Sequence, residues 1–372
     1  MKVNDIYTPA MLIDLDKMER NLEKAQLAAA KYNKQVWPML KTHKSSELAK
    51  LQVEKYGCTG VLCGTLDEAE AMVAAGVENV MYAYPVASKE SIHRVIEMVK
   101  KCPNFIGRLD SIEAARMLNS AAEEANVKVG YSIIVDTGLH RFGIAPEKVV
   151  EFADELKMFD HIVLKAISSH PGHVYVSKNG DEVKKYAQEE CERMGTAANA
   201  LRAAGYELEY VTSGSTPTFM DALSDSAIDV YHPGCHIFND VMQMSMEVAT
   251  EEDCALTVVA TIISNPKEGH FIMDAGAKCL ALDQGGHGNS NIKGFGHVIG
   301  HPELTINSLS EEVGNLLADG HTDLKIGDKI RIVPNHACPC ANLTGYYFGV
   351  RGDEVERLIF EDLRSNSTKK NF

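Results

Sequence analysis

A histidine and a cysteine two residues apart, in His336-Ala337-Cys338-Pro339, set an imidazole and a potential thiolate side by side late in the chain. Such a pair suits Zn²⁺ better than Mg²⁺ or Ca²⁺, because soft ligands select d-block ions whereas hard cations take oxygen. Two protein ligands would leave positions open for water or substrate, as a catalytic metal needs; Cys340 as a third ligand would suit a closed site, and the other reading puts it in the core or behind the ligands. Pro339 is expected to keep this segment extended, so that Cys338 and Cys340 face the same side. Far upstream, Lys41 ends the apolar run Val36-Trp37-Pro38-Met39-Leu40 and precedes Thr42-His43-Lys44. An amine there could form a Schiff base with an aldehyde cofactor if burial, or the field of Lys44, Arg141 and His43, keeps it partly unprotonated. The plain alternative is a solvated lysine. Ser213-Gly214-Ser215-Thr216-Pro217-Thr218 reads either as a capped turn or as a phosphate cradle of hydroxyls and backbone N–H groups, with Pro217 in the first helical turn. His173 and Tyr175 are expected to face a ligand, whereas Asp274 and Asp283 read as turn formers and His93 and His161 as surface residues.

These groups need elements to bring them together. Short apolar runs alternate with longer amphipathic segments from about residue 35 to 232, the pattern of βα units around a buried parallel sheet. The runs predict eight strands: Gln35 to Leu40, Gly60 to Cys63, Asn79 to Ala83, Phe105 to Leu109, Tyr131 to Val135, Ile162 to Ser168, Leu208 to Thr212 and Ala227 to Tyr231. Segments such as Thr65 to Gly76 and Ser111 to Ala125 carry capping residues and acidic first turns and predict helices. The fold class expected is α/β, a (β/α)8 barrel whose site lies at the C-terminal ends of the strands. Lys41, Asp136-Thr137-Gly138, His170-Pro171-Gly172-His173, Ser213 to Thr216 and His232-Pro233-Gly234 all fall at such ends. Later runs such as Ala255 to Ile263 and Lys329 to Val333 lack helical periodicity and predict a C-terminal β domain. The expected division is residues 8–245 for the barrel and 246–372 for the β domain, with residues 1–7 packing on the latter. Gly285-Gly286-His287-Gly288 and Gly294 to His297 read as flexible loops.

Composition narrows the function classes. The 372 residues are 45% hydrophobic and 24% charged with a formal charge of −15, which would repel a phosphate backbone and argues against nucleic acid as a partner. No run is long enough to span a membrane, and the start of the chain lacks a secretory pattern, so a cytoplasmic protein is expected. Nine irregularly spaced cysteines fit a reducing compartment better than a disulfide framework. Asn342 and Asn366 begin Asn-x-Ser/Thr matches of the kind chance supplies.

Read in order, Pro38-Met39-Leu40-Lys41-Thr42-His43-Lys44, Val135-Asp136-Thr137-Gly138-Leu139-His140-Arg141, Gly172-His173-Val174-Tyr175, Ser213 to Thr218, His232-Pro233-Gly234 and Pro334 to Pro339 resemble the D-serine dehydratase / D-threonine aldolase family. The resemblance runs from about residue 7 to 350. It implies a fold-type III pyridoxal-phosphate enzyme, an alanine-racemase-like barrel joined to a C-terminal β domain, acting as a homodimer. It implies that Lys41 carries the cofactor's Schiff base, that Ser213, Gly214, Ser215 and Thr216 with the backbone at Gly234 and Cys235 hold the phosphate, and that Arg141, His173 and Tyr175 surround the ring. His336 and Cys338 match the family's metal pair, for zinc or another divalent ion such as manganese. His236 stands near the place where the family commonly has a cofactor-contacting tyrosine, and Met39-Leu40 replace the usual basic or imidazole residue before the lysine.

The activity this implies is a lyase acting on a small D-3-hydroxy amino acid, first of all β-elimination of the D-serine dehydratase type to a 2-oxo acid and ammonia. A His-x-Cys pair is similar to the dehydratase branch, whereas the aldolase branch typically has aspartate in place of Cys338. The alternatives are retro-aldol cleavage of the D-threonine aldolase type, to glycine and an aldehyde, and a non-catalytic pyridoxal-phosphate-binding or amino-acid-sensing protein.

Overall fold

The computed structural model describes residues 1–284 and 289–364; the glycine-rich stretch 285–288 and Asn366 lie outside the described residues. Eight parallel strands make one sheet: Gln35–Val36, Val61–Cys63, Val80–Tyr82, Ile106–Leu109, Val129–Ile134, Ile162–Ser168, Tyr210–Ser213 and Val230–Tyr231. All eight overlap the predicted strands, but several are shorter. The first strand is short because Pro38, two residues beyond Val36, lacks an N–H to continue its ladder. Its pairing with the eighth, Gln35 to Val230 and Val36 to Tyr231, bends the sheet round. A bridge between Met39 and Leu62 joins the first unit to the second, with the Leu62 N–H donating to the Pro38 carbonyl at 3.0 Å.

Helices alternate with the strands, and their starts are dictated locally. Ser45, Thr65, Ser88, Ser111 and Asn179 each accept a backbone N–H from the first turn of the helix that follows, a contribution of about 1 kcal/mol each. The apolar faces of these helices meet the outer face of the barrel in one large core that includes Met72, Val95, Leu118 and Met194. The lumen is packed separately by Trp37, Leu62, Met81, Ile106, Ala166 and Val230. Because side chains alternate along a strand, the next inward residues after Met81, Ile106 and Val230 are Ala83, Arg108 and His232, which floor the cavity above the lumen. His93 is exposed as expected, but His161 is half-buried and donates through Nδ1 to the Val127 carbonyl at 3.1 Å.

Among the described residues the second sheet has nine strands, centred on the long strand Leu256–Lys267, which pairs with Ala10–Asp14, His270–Met273 and Lys329–Val333. The strand Ala10–Asp14 therefore corrects the boundary at residue 8. It runs antiparallel to Leu256–Val259 and parallel to Phe348–Val350, inside the C-terminal sheet. Its run Met11-Leu12-Ile13 is buried on both faces, so the local pattern announces a central strand without saying of which sheet. Residues 1–7 pack on the same layer, where Val3 and Ile6 join Leu12, Val259 and Val350. Among the described residues no helix is long and apolar enough to cross a membrane.

Candidate active site

At the C-terminal ends of the barrel strands lies a cleft of about 1090 Å³, counting its open mouth, walled on one side by the β domain. Lys41 reaches it from a short 3₁₀ turn, Leu40–Thr42, directly after the first strand. Met39 is pinned on both sides, by its N–H to the Pro233 carbonyl at 3.1 Å and by the bridge to Leu62, which fixes where the turn begins. Gly64, at the end of the second strand, leaves room for Lys41: a Cβ there would lie 2.9 Å from the Lys41 Cβ.

The turn after the seventh strand passes through Gly214 at φ +133 and enters the helix Thr216–Ala222 with Pro217 in its first turn. Gly214, Ser215 and Thr216 line the cleft. Thr216 Oγ1 accepts the backbone N–H groups of Gly234 and His236, both at 3.2 Å, and so ties this turn to the one after the eighth strand. Ser213 lies elsewhere: its hydroxyl is buried and donates to Glu190 Oε1 at 2.5 Å, on the helix side of the strand. Burial pushes the Glu190 carboxyl up to about 7.

Arg141, Tyr175, Gly234, Cys235, His336 and Cys338 also line the cleft. His173 and His236 do not. The His173 ring packs edge-on against Tyr186 at 5.0 Å and under Gly138, where a Cβ would meet its Nε2 at 3.0 Å. His236 is buried behind the Thr216 turn and is held neutral, its pKa lowered to about 4 by burial.

His336 and Cys338 come from the start of a helical turn, Ala337–Ala341, and this corrects the expectation of an extended segment. Pro339 is the third residue of that turn, where the missing N–H has no intrahelical acceptor to lose. Residues two apart on a helix diverge by about 200°, so Cys338 faces the cleft while Cys340 is fully buried with its Sγ 2.9 Å from the Cys279 carbonyl. Cys340 is thus a core residue. His336 Nδ1 lies 2.8 Å from Asp283 Oδ2, an arrangement that fixes the ring, which also hydrogen-bonds Cys338. Asp283 is therefore more than a turn former. Burial opposes protonation of His336, but the Cys338 charge and the Asp283 bond outweigh it and raise its pKa to about 10. The Cys338 thiol is held well below its usual range, by a hydrogen bond with Cys235 first and by His336 and Lys41 after it. Thr42 Oγ1 lies 3.2 Å from Cys338 Sγ. Among the described residues no group of three or more His, Cys, Asp and Glu side chains is arranged to hold a metal.

The sequence puts His170 and His232 at strand ends around the cleft, each before a Pro-Gly pair, but gives neither a role. Both line the cleft and are held neutral with pKa values lowered to about 3, first by burial and then by the charges of Lys41 and of Arg108 respectively. Arg108 is a cleft residue that escaped the sequence reading, and its signal was a lone cation inside the apolar run Phe105 to Leu109.

A family model described as the alanine racemase N-terminal domain matches residues 13–240, and one described as a putative serine dehydratase domain matches 255–350. The D-threo-3-hydroxyaspartate dehydratase of Delftia sp. (strain HT23) is 30% identical over 346 residues, covering 89% of this chain and 90% of that protein. This chain belongs to the D-serine dehydratase / D-threonine aldolase family. Within the family, the solved D-threonine aldolase from Filomicrobium marinum superposes with a TM-score of 0.90 at 27% identity, covering 98% of this chain and 97% of that one. A cysteine-to-alanine mutant of D-threo-3-hydroxyaspartate dehydratase, solved in the metal-free form, matches with a TM-score of 0.89 at 27% identity, covering 97% of this chain and 99% of that one. The family consists of pyridoxal-phosphate lyases with this two-domain fold.

The residues present fit such a cofactor. An amine, a turn with two hydroxyls and a pair of neutral imidazoles converge on one cleft, and Gly234 keeps the floor open, since a Cβ there would meet Thr42 Oγ1 at 2.9 Å. The imidazole and thiolate of His336 and Cys338, with Asp283 behind, fit a divalent metal by the chemistry of their donors.

Proposed function

We propose that the protein is a metal-dependent lyase that eliminates water from a D-configured 3-hydroxy amino acid, D-serine among the candidates, to an enamine whose hydrolysis by water gives a 2-oxo acid and ammonia. The observation that carries this reading is that Lys41 and the His336/Cys338 pair, from opposite ends of the chain, open onto the same cleft. Pyridoxal phosphate supplies an electron sink for charge at the substrate α-carbon, and a divalent metal, zinc or alternatively manganese, supplies a Lewis acid for the departing hydroxyl. Lys41 would hold the cofactor and, once released, move the α-proton through its Nζ. Ser215 and Thr216 would bind the phosphate from the turn after the seventh strand, with Gly214 and the backbone at Gly234 and Cys235 shaping that wall. Arg141 and Tyr175 would orient the ring and the substrate carboxylate. Asp283 would orient the His336 ring through Nδ1 so that a metal could displace the proton on Nε2, and Thr42 would steady Cys338. The homodimer implied by the resemblance belongs to the same proposal and is checked by light scattering.

Retro-aldol cleavage stays as the second reading because a D-threonine aldolase shares the fold so closely. Cys338, in place of the aspartate typical of that branch, favours elimination. Product analysis by mass spectrometry after incubation with D-serine, D-threonine and 3-hydroxy-D-aspartate, with and without a chelator, tests the choice. Chelator-sensitive 2-oxo acid and ammonia are expected. Glycine with an aldehyde would move the protein to the aldolase branch, and retained cofactor absorbance with no product from any of the three would point to a binding protein.

A further inference from the structure

Beside the His336/Cys338 pair, three cations, Lys41, Arg108 and Arg141, line the cleft against one carboxylate, Asp136. Asp136 is already engaged, accepting from the backbone of Gly138 and His140 and bonded to the His140 ring at 2.7 Å. Arg108 is poorly satisfied. It sits two residues beyond the lumen residue Ile106 on the fourth barrel strand, 5% exposed, so its side chain rises from the packed lumen to the cavity floor. Its Nε meets Met81 Sδ at 3.4 Å, a weak acceptor, and its buried Nη2 has no partner among the described residues. His232, on the opposite strand of the ring, also lines the floor. It must donate its Nδ1 proton to the Trp37 carbonyl, 2.9 Å away, which leaves a lone pair on a buried Nε2 that is likewise unpartnered.

A guanidinium does not give up its proton, so burying it with an unmatched N–H destabilises the fold relative to an apolar side chain of similar shape. A ligand that supplies the acceptor recovers that loss on binding. The floor position excludes much of what could bind there: phosphate has its hydroxyl turn in the loops above the seventh and eighth strands, and the aldehyde carbon has Lys41 after the first. The fourth strand lies across the ring from both, at the place the remaining edge of an aromatic cofactor must occupy.

We propose that Arg108 is a positioning residue that hydrogen-bonds the polar ring edge of bound pyridoxal phosphate, and that its missing counterpart makes the empty barrel less stable than its phosphate cradle alone would imply. The inference rests on the cofactor assigned under the proposed function. It separates Arg108 from a purely structural arginine, because the two roles move the empty and the loaded protein in opposite directions.

The test compares wild type, Arg108→Met and Arg108→Lys by thermal melting with no addition, with inorganic phosphate and with pyridoxal phosphate, alongside titration of the cofactor's visible absorbance. In Arg108→Met the empty protein melts higher, by about 1–3 °C. Its pyridoxal-phosphate Kd weakens on the order of 10- to 100-fold, the effect of losing one hydrogen bond to a charged group. Its absorption maximum moves, and the increment from inorganic phosphate is unchanged. Arg108→Lys, which keeps the charge without the fork, gains no stability when empty and binds with intermediate affinity. Wild-type affinity and spectrum in Arg108→Met would overturn the proposal, as would a lower melting point of the empty variant, which marks a structural arginine, or a lost phosphate increment, which marks a phosphate contact. Wild-type protein that neither gains absorbance nor melts higher with pyridoxal phosphate removes the proposed function and this inference with it, a result distinct from all the others.

Discussion

Glu361→Gln should stabilise the protein in alkaline solution and leave it nearly unchanged in acid. Glu361 is 5% exposed, and burial raises its carboxyl from the usual 4.5 to about 8 even though Tyr347, Arg364 and Lys44 pull the other way. The hydrogen bonds explain why a neutral acid belongs there. Tyr347 has one hydroxyl proton to share between the His43 carbonyl, at 3.0 Å, and Glu361 Oε1. With Glu361 protonated, a relay forms in which the acid donates to Tyr347 and Tyr347 donates to His43. When Glu361 ionises, Tyr347 turns to it and the His43 carbonyl, two residues from Lys41, loses its donor. The folded state thus holds the proton more tightly than the unfolded chain does. The favourable contribution is complete below about pH 4.5, is lost as pH rises through the window to about 8, and is absent above it. A gap of about 3.5 pH units at about 1.4 kcal/mol each gives a full span on the order of 5 kcal/mol. Glutamine keeps a donor for Tyr347 and has no proton to lose. Urea unfolding of both proteins at pH 5 and pH 8.5 is the assay, since every other titrating group is common to the pair. Near-equality at pH 5 and an advantage of several kcal/mol for the variant at pH 8.5 are expected; the same difference at both pH values would refute the relay.

Lys41→Ala should abolish both the absorbance of bound cofactor and turnover, and a variant keeping both would exclude Lys41 as the cofactor's anchor. Asp283→Asn should weaken metal binding by about 10- to 100-fold, read by competition with a chromophoric chelator, because the imidazole loses the group that orients it; unchanged affinity would mean the 2.8 Å contact does not set the ligand geometry. Gly64→Ala places a methyl 2.9 Å from the Lys41 Cβ. It should lower kcat by about 10-fold or more while the melting temperature changes little, and wild-type kcat would show that the Lys41 turn gives way freely.

The barrel was legible because its strands are mostly buried on both faces and write themselves as apolar runs, such as Val61–Cys63, between capped helices. The strand Ala10–Asp14 was misplaced because pairing with Leu256–Val259 is decided by contacts some 250 residues apart, which no local pattern encodes. Lys41, Ser215, Thr216, His336 and Cys338 could be singled out by residue type at a strand end or by spacing. Asp283 could not, because a carboxylate in a polar loop looks the same whether or not an imidazole folds against it. The direction of Cys340 was misread for a different reason: the bias of a proline against helix in the preceding residue yielded to the packing that makes Ala337–Ala341 a helical turn.

These particulars bear on why the chain needs its second domain. The residues that follow Lys41 are held from both sides: in the barrel, Gln52 meets the His43 ring at 3.1 Å and Glu68 accepts from Lys44 Nζ at 2.6 Å, and the β domain adds a second set of contacts. Thr42 meets Cys338, the His43 carbonyl accepts from Tyr347, and the Lys44 carbonyl accepts from the Leu363 N–H at 3.1 Å. Ser46 gives its N–H and its hydroxyl to Asp362 at 2.8 and 2.5 Å. The restraint runs the other way as well, since Asp240, on the barrel side, accepts from the Ala337 N–H at 2.8 Å between His336 and Cys338. A turn of three residues after a two-residue strand has little stability of its own, and loosening it by an ångström would be enough to misalign an amine with the bond it must act on. The β domain therefore does more than carry His336 and Cys338. By holding the loop that carries Lys41 while the barrel holds the turn that carries His336, the two domains fix each other's side chains, and the distance between the Lys41 amine and the His336/Cys338 pair becomes a property of the interface.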